Sequence, residues 1–292
     1  MNPGIEINVG SLVNAVTFSA DGEYLLSGGE WGVQVWRVED GKQMATLEVE
    51  GVLCLAVSGD GRWIAAGTGW HGVFVWDAKT YEEVLSHGVG YVNAVDFSPN
   101  STRLVSASHH TASIWGIATR KRVQTLYHEE VVTAAKYSPQ GDRIATAIRN
   151  SVRVWDSNDG RLLVDIKVIV TPWLDTGLLW FNHHLLVISG STIKQFEAST
   201  GSSVSEWPVP DSSAPSSCIA LPKHGGFIAN STQRTITFWD TATHTQLDLI
   251  RHPQDIRSIA VSPDGPFLAI GGGYGKITIN TLPRIVVSIL SR

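Results

Sequence analysis

The sequence predicts an all-β chain built from seven like units, and three observations carry that expectation. The first is an apolar run ending in tryptophan that returns along the chain. "VQVW" ends at Trp36, "VFVW" at Trp76, "ASIW" at Trp115, "VRVW" at Trp155 and "ITFW" at Trp239, with weaker copies "IKQF" ending at Phe196 and "ITIN" ending at Asn280. The second is the spacing of these ends, 40, 39, 40, 41, 43 and 41 residues. The third is that other strand and turn signals recur in the same phase, while no segment of useful length has the helix period.

Taken in order, each unit opens on a strand: "VNAVTF", "VLCLAV", "VNAVDF", "VTAAKY", "TGLLWF", "SCIAL" and "IRSIAV". A tight turn follows, as in "SADG", "SGDG", "SPNS", "SPQG" and "SPDG". Proline at the second turn position presets φ, and Asp, Asn or Gly after it suits a type I turn. A second strand comes next ("YLLSGG", "WIAAGT", "RLVSAS", "RIATAI", "LLVISG", "FIANS", "FLAIGG"), then the tryptophan strand, a polar turn and a fourth strand such as "KQMATLEV" or "KRVQTLYH". Such a four-stranded antiparallel meander cannot bury both faces alone. Stacking seven of them radially does so, which is a seven-bladed β-propeller.

The expected blades, within a single domain 1–292, run approximately over 13–49, 52–88, 92–128, 132–170, 176–210, 217–252 and 256–292. Blade 5 is the least regular: it lacks the usual turn, and Phe196 replaces tryptophan. After it, "SEWPVPDSSAPSS" reads as an extended link to blade 6, since Pro208, Pro210 and Pro215 do not suit a sheet interior. Two segments compete to close blade 7. "RIVVSIL" is placed as its own fourth strand, and "GIEINV" within residues 1–12 is placed as a closing strand.

At this point the chain resembles the WD-repeat, or β-transducin-like, propellers over nearly its whole length. The marks are "WD" at Trp76-Asp77, Trp155-Asp156 and Trp239-Asp240, the "SPDG"-type turns and the period. His128 and His252 stand where that family's Gly-His pair would put its histidine, although Tyr127 and Arg251 replace the glycine, and His87 is one residue out of register. The resemblance also implies an aspartate six residues before each tryptophan, bonded to that histidine, which in turn braces a serine and the tryptophan. Glu30, Trp70, His109, Arg149, Gly190, Gln233 and Tyr274 occupy those positions, so no blade has it. The departure removes an acceptor from the network and frees the positions. The start in mid-repeat suggests the sensor-like end of a longer protein.

Composition narrows the function. A net charge of −5 and the absence of a polybasic run argue against nucleic acid as a partner. No stretch has the apolar length of a membrane span, and the N-terminus lacks the pattern of a secretory signal. Two cysteines, Cys54 and Cys218, are too few for a disulfide framework and fit a reduced, cytoplasmic setting. Both fall at the third position of a first strand, filled elsewhere by Ala15, Ala94, Ala134 and Ser258, where a small apolar residue is needed near the axis.

Catalytic signals are scarce. "GGGYGKIT" (271–278) misses the phosphate-loop pattern, because Ile270 stands where its first glycine belongs and no helix follows. There is no nucleophile elbow and no zinc-spaced cysteine pair. The doublets His109-His110 and His183-His184 lack nearby carboxylates in sequence, and neighbours on a strand face opposite ways. The expectation is therefore a protein that is not an enzyme, with no cofactor and no metal.

The turns between second and third strands carry large residues instead. In the resembling family they share one rim with the turns that lead into each first strand, and that rim is the usual partner surface. The candidate partner-binding residues are Trp31, Trp70, His71, Tyr91, His109, Arg149, Arg234 and Tyr274. Trp, Tyr and Arg are the types enriched at binding hot spots, though the same residues can instead pack the rim closed. The reading is a non-enzymatic scaffold, monomeric as an isolated domain, that binds a protein or peptide through its rim and central funnel. The alternative is a small-ligand or carbohydrate-binding propeller, made less apt because the rim residues differ from blade to blade.

Overall fold

The computed structural model describes residues 4–170, 177–209, 218–223 and 225–289. They form seven four-stranded antiparallel sheets arranged as a ring. Blade 2 shows the plan. Val52–Val57 lies nearest the axis, followed outward by Trp63–Thr68, Val73–Asp77 and Glu83–His87, each paired with the next. The first strands touch in sequence around the axis, and that of blade 7, Ile256–Val261, packs against that of blade 1, Val13–Phe18. Alternation places Val73 and Val75 on one face, fully buried, and Phe74 and Trp76 on the other, stacked with ring centroids 5.7 Å apart.

In blades 1–4 and 7 the turn after the first strand holds because a serine, Ser19, Ser58, Ser98, Ser138 or Ser262, stands at its head and accepts a backbone N–H five residues on. Ser58 Oγ accepts the Trp63 N–H at 2.9 Å and donates to Asp60 at 2.6 Å. Ser19, Ser98 and Ser138 do the same work in blades 1, 3 and 4, with Asp21, Asn100 and Asp142 accepting. These are side chains competing for backbone groups where the ladder must end.

Two irregularities recur. Pairing between third and fourth strands slips by one residue at the tryptophan position, leaving Met44, Val84, Val123, Leu163, Val204 and Leu247 outside the ladder. Such bulges bend the outer edge and blunt it against pairing with other chains. A second slip near the start of the first strands leaves Asn14, Leu53, Asn93 and Arg257 unpaired with their own sheets. The freed side chains join blades. Asn14 Nδ2 donates to the Val52 carbonyl, Asn93 Nδ2 to the Val132 carbonyl, and Arg257 Nη1 to Asn14 Oδ1, all at 2.9 Å.

The core lies between blades rather than within them. One buried cluster joins Cys54, Ala65, Val75 and Leu85 of blade 2 to Val95, Phe97, Leu104 and Trp115 of blade 3. Cys54 and Cys218 are buried free thiols, and each also donates across to the next blade, to the carbonyls of Val92 and Arg257.

Two sequence expectations are corrected. The segment "RIVVSIL" is not a strand in its described part. Arg284–Val287 form one helical turn after Pro283, and Val286 is buried with Leu282 against Ile250 of blade 6. The fourth strand of blade 7 is Ile5–Asn8, antiparallel to Lys276–Thr281 with Ile7 opposite Ile277. The link after blade 5 also begins later than its proline content suggested. Ser203–Pro208 is that blade's fourth strand, and Trp207 is buried and stacked on His244 at 4.3 Å. Pro208 ends an edge strand, where a missing N–H does no harm. Pro210 and Pro215 lie outside the described residues.

Candidate partner-binding rim

The antiparallel order within a blade puts the start of its first strand, the second-to-third turn and the end of its fourth strand at one end. In blade 2 these are Val52, Thr68, Val73 and His87, linked through Val52–Thr68 and Val73–His87 pairs. All eight candidate residues fall at this end of their blades. The structure places Trp31, Trp70 and Tyr274 at turn tips, 56%, 81% and 72% exposed, and Tyr91 on the link into blade 3 at 39%. They do not pack the rim closed. His71, His109 and Arg149 are exposed as well. Arg234 is tied down: its Nε donates to Asp255 Oδ1 at 2.7 Å. The same bond holds the Asp255 carboxyl below the usual carboxylate range.

Glycine in the preceding link seats several of these rings. Gly10 has φ +80°, and a Cβ there would meet the Trp31 ring at 2.9 Å. Gly51 carries Trp70 in the same relation, and Gly90 carries His109. Tyr91 reaches back beside Gly69, next to Trp70. The aromatic residues thus run over blades 7, 1, 2 and 3, which are neighbours in the ring, with Arg149 beyond them on blade 4.

One cleft of about 570 Å³ opens on this arc, lined by Glu30, Trp31, Glu48, Val49, Glu50, Gly51 and Trp70. The funnel at the axis, about 250 Å³, is lined by inner-strand residues including Asn14, Leu53, Lys136 and Ser258. The sequence reading missed Glu48 and Glu50, and also Tyr127 and Ile169, which are 74% and 68% exposed at the same end. Glu48, Glu50 and Ile169 sit on links between blades and Tyr127 ends the fourth strand of blade 3, whereas the sequence pattern points to the turns between second and third strands. Tyr127 carried a signal, because it replaces the glycine of the Gly-His pair.

The family profile described as WD domain, G-beta repeat matches residues 8–37, 41–77, 80–116, 120–156 and 244–279. The chain belongs to the WD-repeat family. Among similar curated proteins, Periodic tryptophan protein 2 of Arabidopsis thaliana is 29% identical over 53% of this chain and 18% of its own length. Small ribosomal subunit protein RACK1 of Caenorhabditis elegans is 27% identical over 36% of this chain and 33% of its own. Protein groucho of Drosophila melanogaster is 21% identical over 92% of this chain and 39% of its own. This WD-repeat chain therefore spans well under half the length of these relatives.

Parts of the bracing network of the WD repeat survive in blades 1, 3 and 4 without its aspartate. Trp36 Nε1 donates to Ser27 Oγ and Trp115 Nε1 to Ser106 Oγ, both at 2.9 Å. In blade 4, Trp155 Nε1 donates to Thr146 Oγ1, and His128 Nε2 lies 2.8 Å from the same oxygen. His128 Nδ1 is 3.2 Å from the Leu126 carbonyl, which can only accept, so that nitrogen carries the proton and Nε2 accepts from the Thr146 hydroxyl. A backbone carbonyl stands in for the missing carboxylate.

This arrangement wants a neutral imidazole. Burial, and then the charge of Arg153, push the His128 pKa down to about 4. The folded value lies below the ordinary 6.5, so the stabilisation is full above pH 6.5 and is lost as pH falls toward 4. The expected loss across that window is on the order of 3 kcal/mol. Urea midpoints measured from pH 7 to pH 4 should fall, and His128→Gln should flatten the decline; parallel curves for the two proteins would count against this assignment.

Proposed function

We propose that this WD-repeat propeller is a non-enzymatic interaction module that binds a protein or peptide through the rim described above and the mouth of its funnel. The observation that carries the reading is the exposure of large rings at adjacent turn tips: Trp70, Tyr274 and Trp31 are each more than half exposed. Isolated exposed apolar residues are ordinary on a surface, whereas an arc of indole and phenol rings on rigid turns is what hot spots are made of. The scaffold is suited to the role, since turns tied at both ends to paired strands lose little freedom on binding. The two buried free thiols suit a reducing compartment such as the cytoplasm.

The test is affinity purification of the wild-type chain beside a Trp70→Ala, Arg149→Ala, Tyr274→Ala triple variant. All three side chains are exposed, so the fold should be unaffected. Partners that use the rim should be lost, as expected when residues worth about 2 kcal/mol each, or roughly thirtyfold, are removed. Recovery of the same partners in the same amounts would place the interaction elsewhere.

A further inference from the structure

We propose that the cleft between blades 1 and 2 receives a positively charged side chain, an arginine ahead of a lysine, from a basic segment of a partner. The inference rests on the rim reading and narrows it to one subsite and one chemistry. The cleft brings together two exposed indoles, Trp31 and Trp70, and three exposed carboxylates, Glu30, Glu48 and Glu50. Among the described residues no lysine, arginine or histidine forms an ion pair with any of the three. Three carboxylates around one concavity give it a negative field that draws a cation. An anionic or purely apolar occupant would meet the opposite situation.

The indoles make the same choice. The face of a tryptophan ring is the strongest aromatic partner for a cation, and both rings are accessible while seated on the backbone of Gly10 and Gly51. Arginine suits the combination better than lysine. Its planar guanidinium stacks on an indole and still presents N–H groups in its plane to carboxylates, whereas an ammonium does one or the other less well. The walls are preorganised. The Gly51 N–H donates to the Glu30 carbonyl at 3.3 Å, and the Gly69 N–H to the Gly51 carbonyl at 2.9 Å. These bonds tie the blade 1 turn, the interblade link and the blade 2 turn into one floor, under which Val49 is buried. The volume of about 570 Å³ falls within the span of ordinary ligand sites, about 300–1,000 Å³.

The experiment uses the full chain and three synthetic peptides of the form acetyl-GXGGXGGXG-amide, with X arginine, lysine or neutral citrulline. Binding is followed by titration calorimetry and tryptophan fluorescence at low salt. The arginine peptide should bind at least about tenfold more tightly than the citrulline peptide, with lysine between them. Trp70→Ala, and separately Glu48→Gln with Glu50→Gln, should each weaken the arginine peptide by at least about tenfold. These residues are exposed, and matching melting curves verify that the variants fold. Equal binding of arginine and citrulline peptides, no binding of either, or unchanged affinity in the glutamine double variant would overturn the proposal. If the peptide result is negative while the rim triple variant still loses its partners, the cationic subsite is wrong and the rim reading stands. If the triple variant keeps every partner, the wider reading falls instead.

Discussion

Trp115→Ala is expected to cost about 3–5 kcal/mol of folding stability, the range for removing a large buried aromatic side chain. Trp115 is 1% exposed and sits in the cluster shared by blades 2 and 3. Its ring lies 4.5 Å from that of His87, and its Nε1 donates to Ser106 Oγ. Truncation would open a cavity between two blades and leave the Ser106 hydroxyl without its donor. Trp70 offers the contrast. It stands in the turn six residues before the repeat tryptophan Trp76, and at 81% exposure its replacement by alanine should change stability by less than about 0.5 kcal/mol. Urea unfolding followed by far-ultraviolet circular dichroism, with the two variants side by side, measures both. Equal losses would mean that burial does not separate the two tryptophans in solution.

Gly72→Ala should destabilise the chain by on the order of 2–5 kcal/mol, combining a left-handed backbone with overpacking. Gly72 has φ +94°, and an added Cβ would lie 2.0 Å from the His87 carbonyl oxygen and 2.7 Å from the Val89 nitrogen. Both obstacles are backbone, at the point where the third and fourth strands of blade 2 pair, so neither can move without opening the ladder. Gly88 supplies the control a few residues away. Nothing lies within 4 Å of its would-be Cβ, and its φ is not in the left-handed region. Gly88→Ala should be neutral or stabilise slightly, by up to about 1 kcal/mol, through a less flexible unfolded chain. Thermal melts of both variants decide the matter; similar melting temperatures would count against the close approach at Gly72.

The same glycine helps close the turn ahead of the third strand of blade 2, within "GTGWHGVFVWDA" (67–78). Thr68 accepts the backbone N–H of His71 on its Oγ1, and its own N–H donates to the Gly72 carbonyl, so the loop is closed at its base. Trp70 and His71 are left at the tip. Blade count, strand order and turn placement were legible because each rests on local chemistry repeated in phase: alternation, Ser-Asp turns and a period near 40. The bracing network was not, because the acceptor that replaces the aspartate is the Leu126 carbonyl, and a backbone group leaves no mark in the residue code. The end of blade 7 was misread for another reason. "RIVVSIL" is a short apolar run, and such a run fits a strand or a buried helical turn equally well until its packing partner is known. The acidic side of the cleft escaped notice because Glu48 and Glu50 look like ordinary solvated ends of a strand until the fold sets Trp31 and Trp70 around them.

The pairing of Ile5–Asn8 with Lys276–Thr281 works as a clasp with consequences for how the ring is made and lost. Its two halves lie on the order of 270 residues apart, so during synthesis at roughly 5–20 residues per second the first waits ~15–50 s for the second. Until then the blades form an open stack with an uncovered apolar face at each end, a hazard for association with other chains. Once the clasp shuts, no blade is terminal. Every blade has two neighbours, the failure of any one strips the cover from both, and a linear array of repeats becomes a body that holds or opens as a whole.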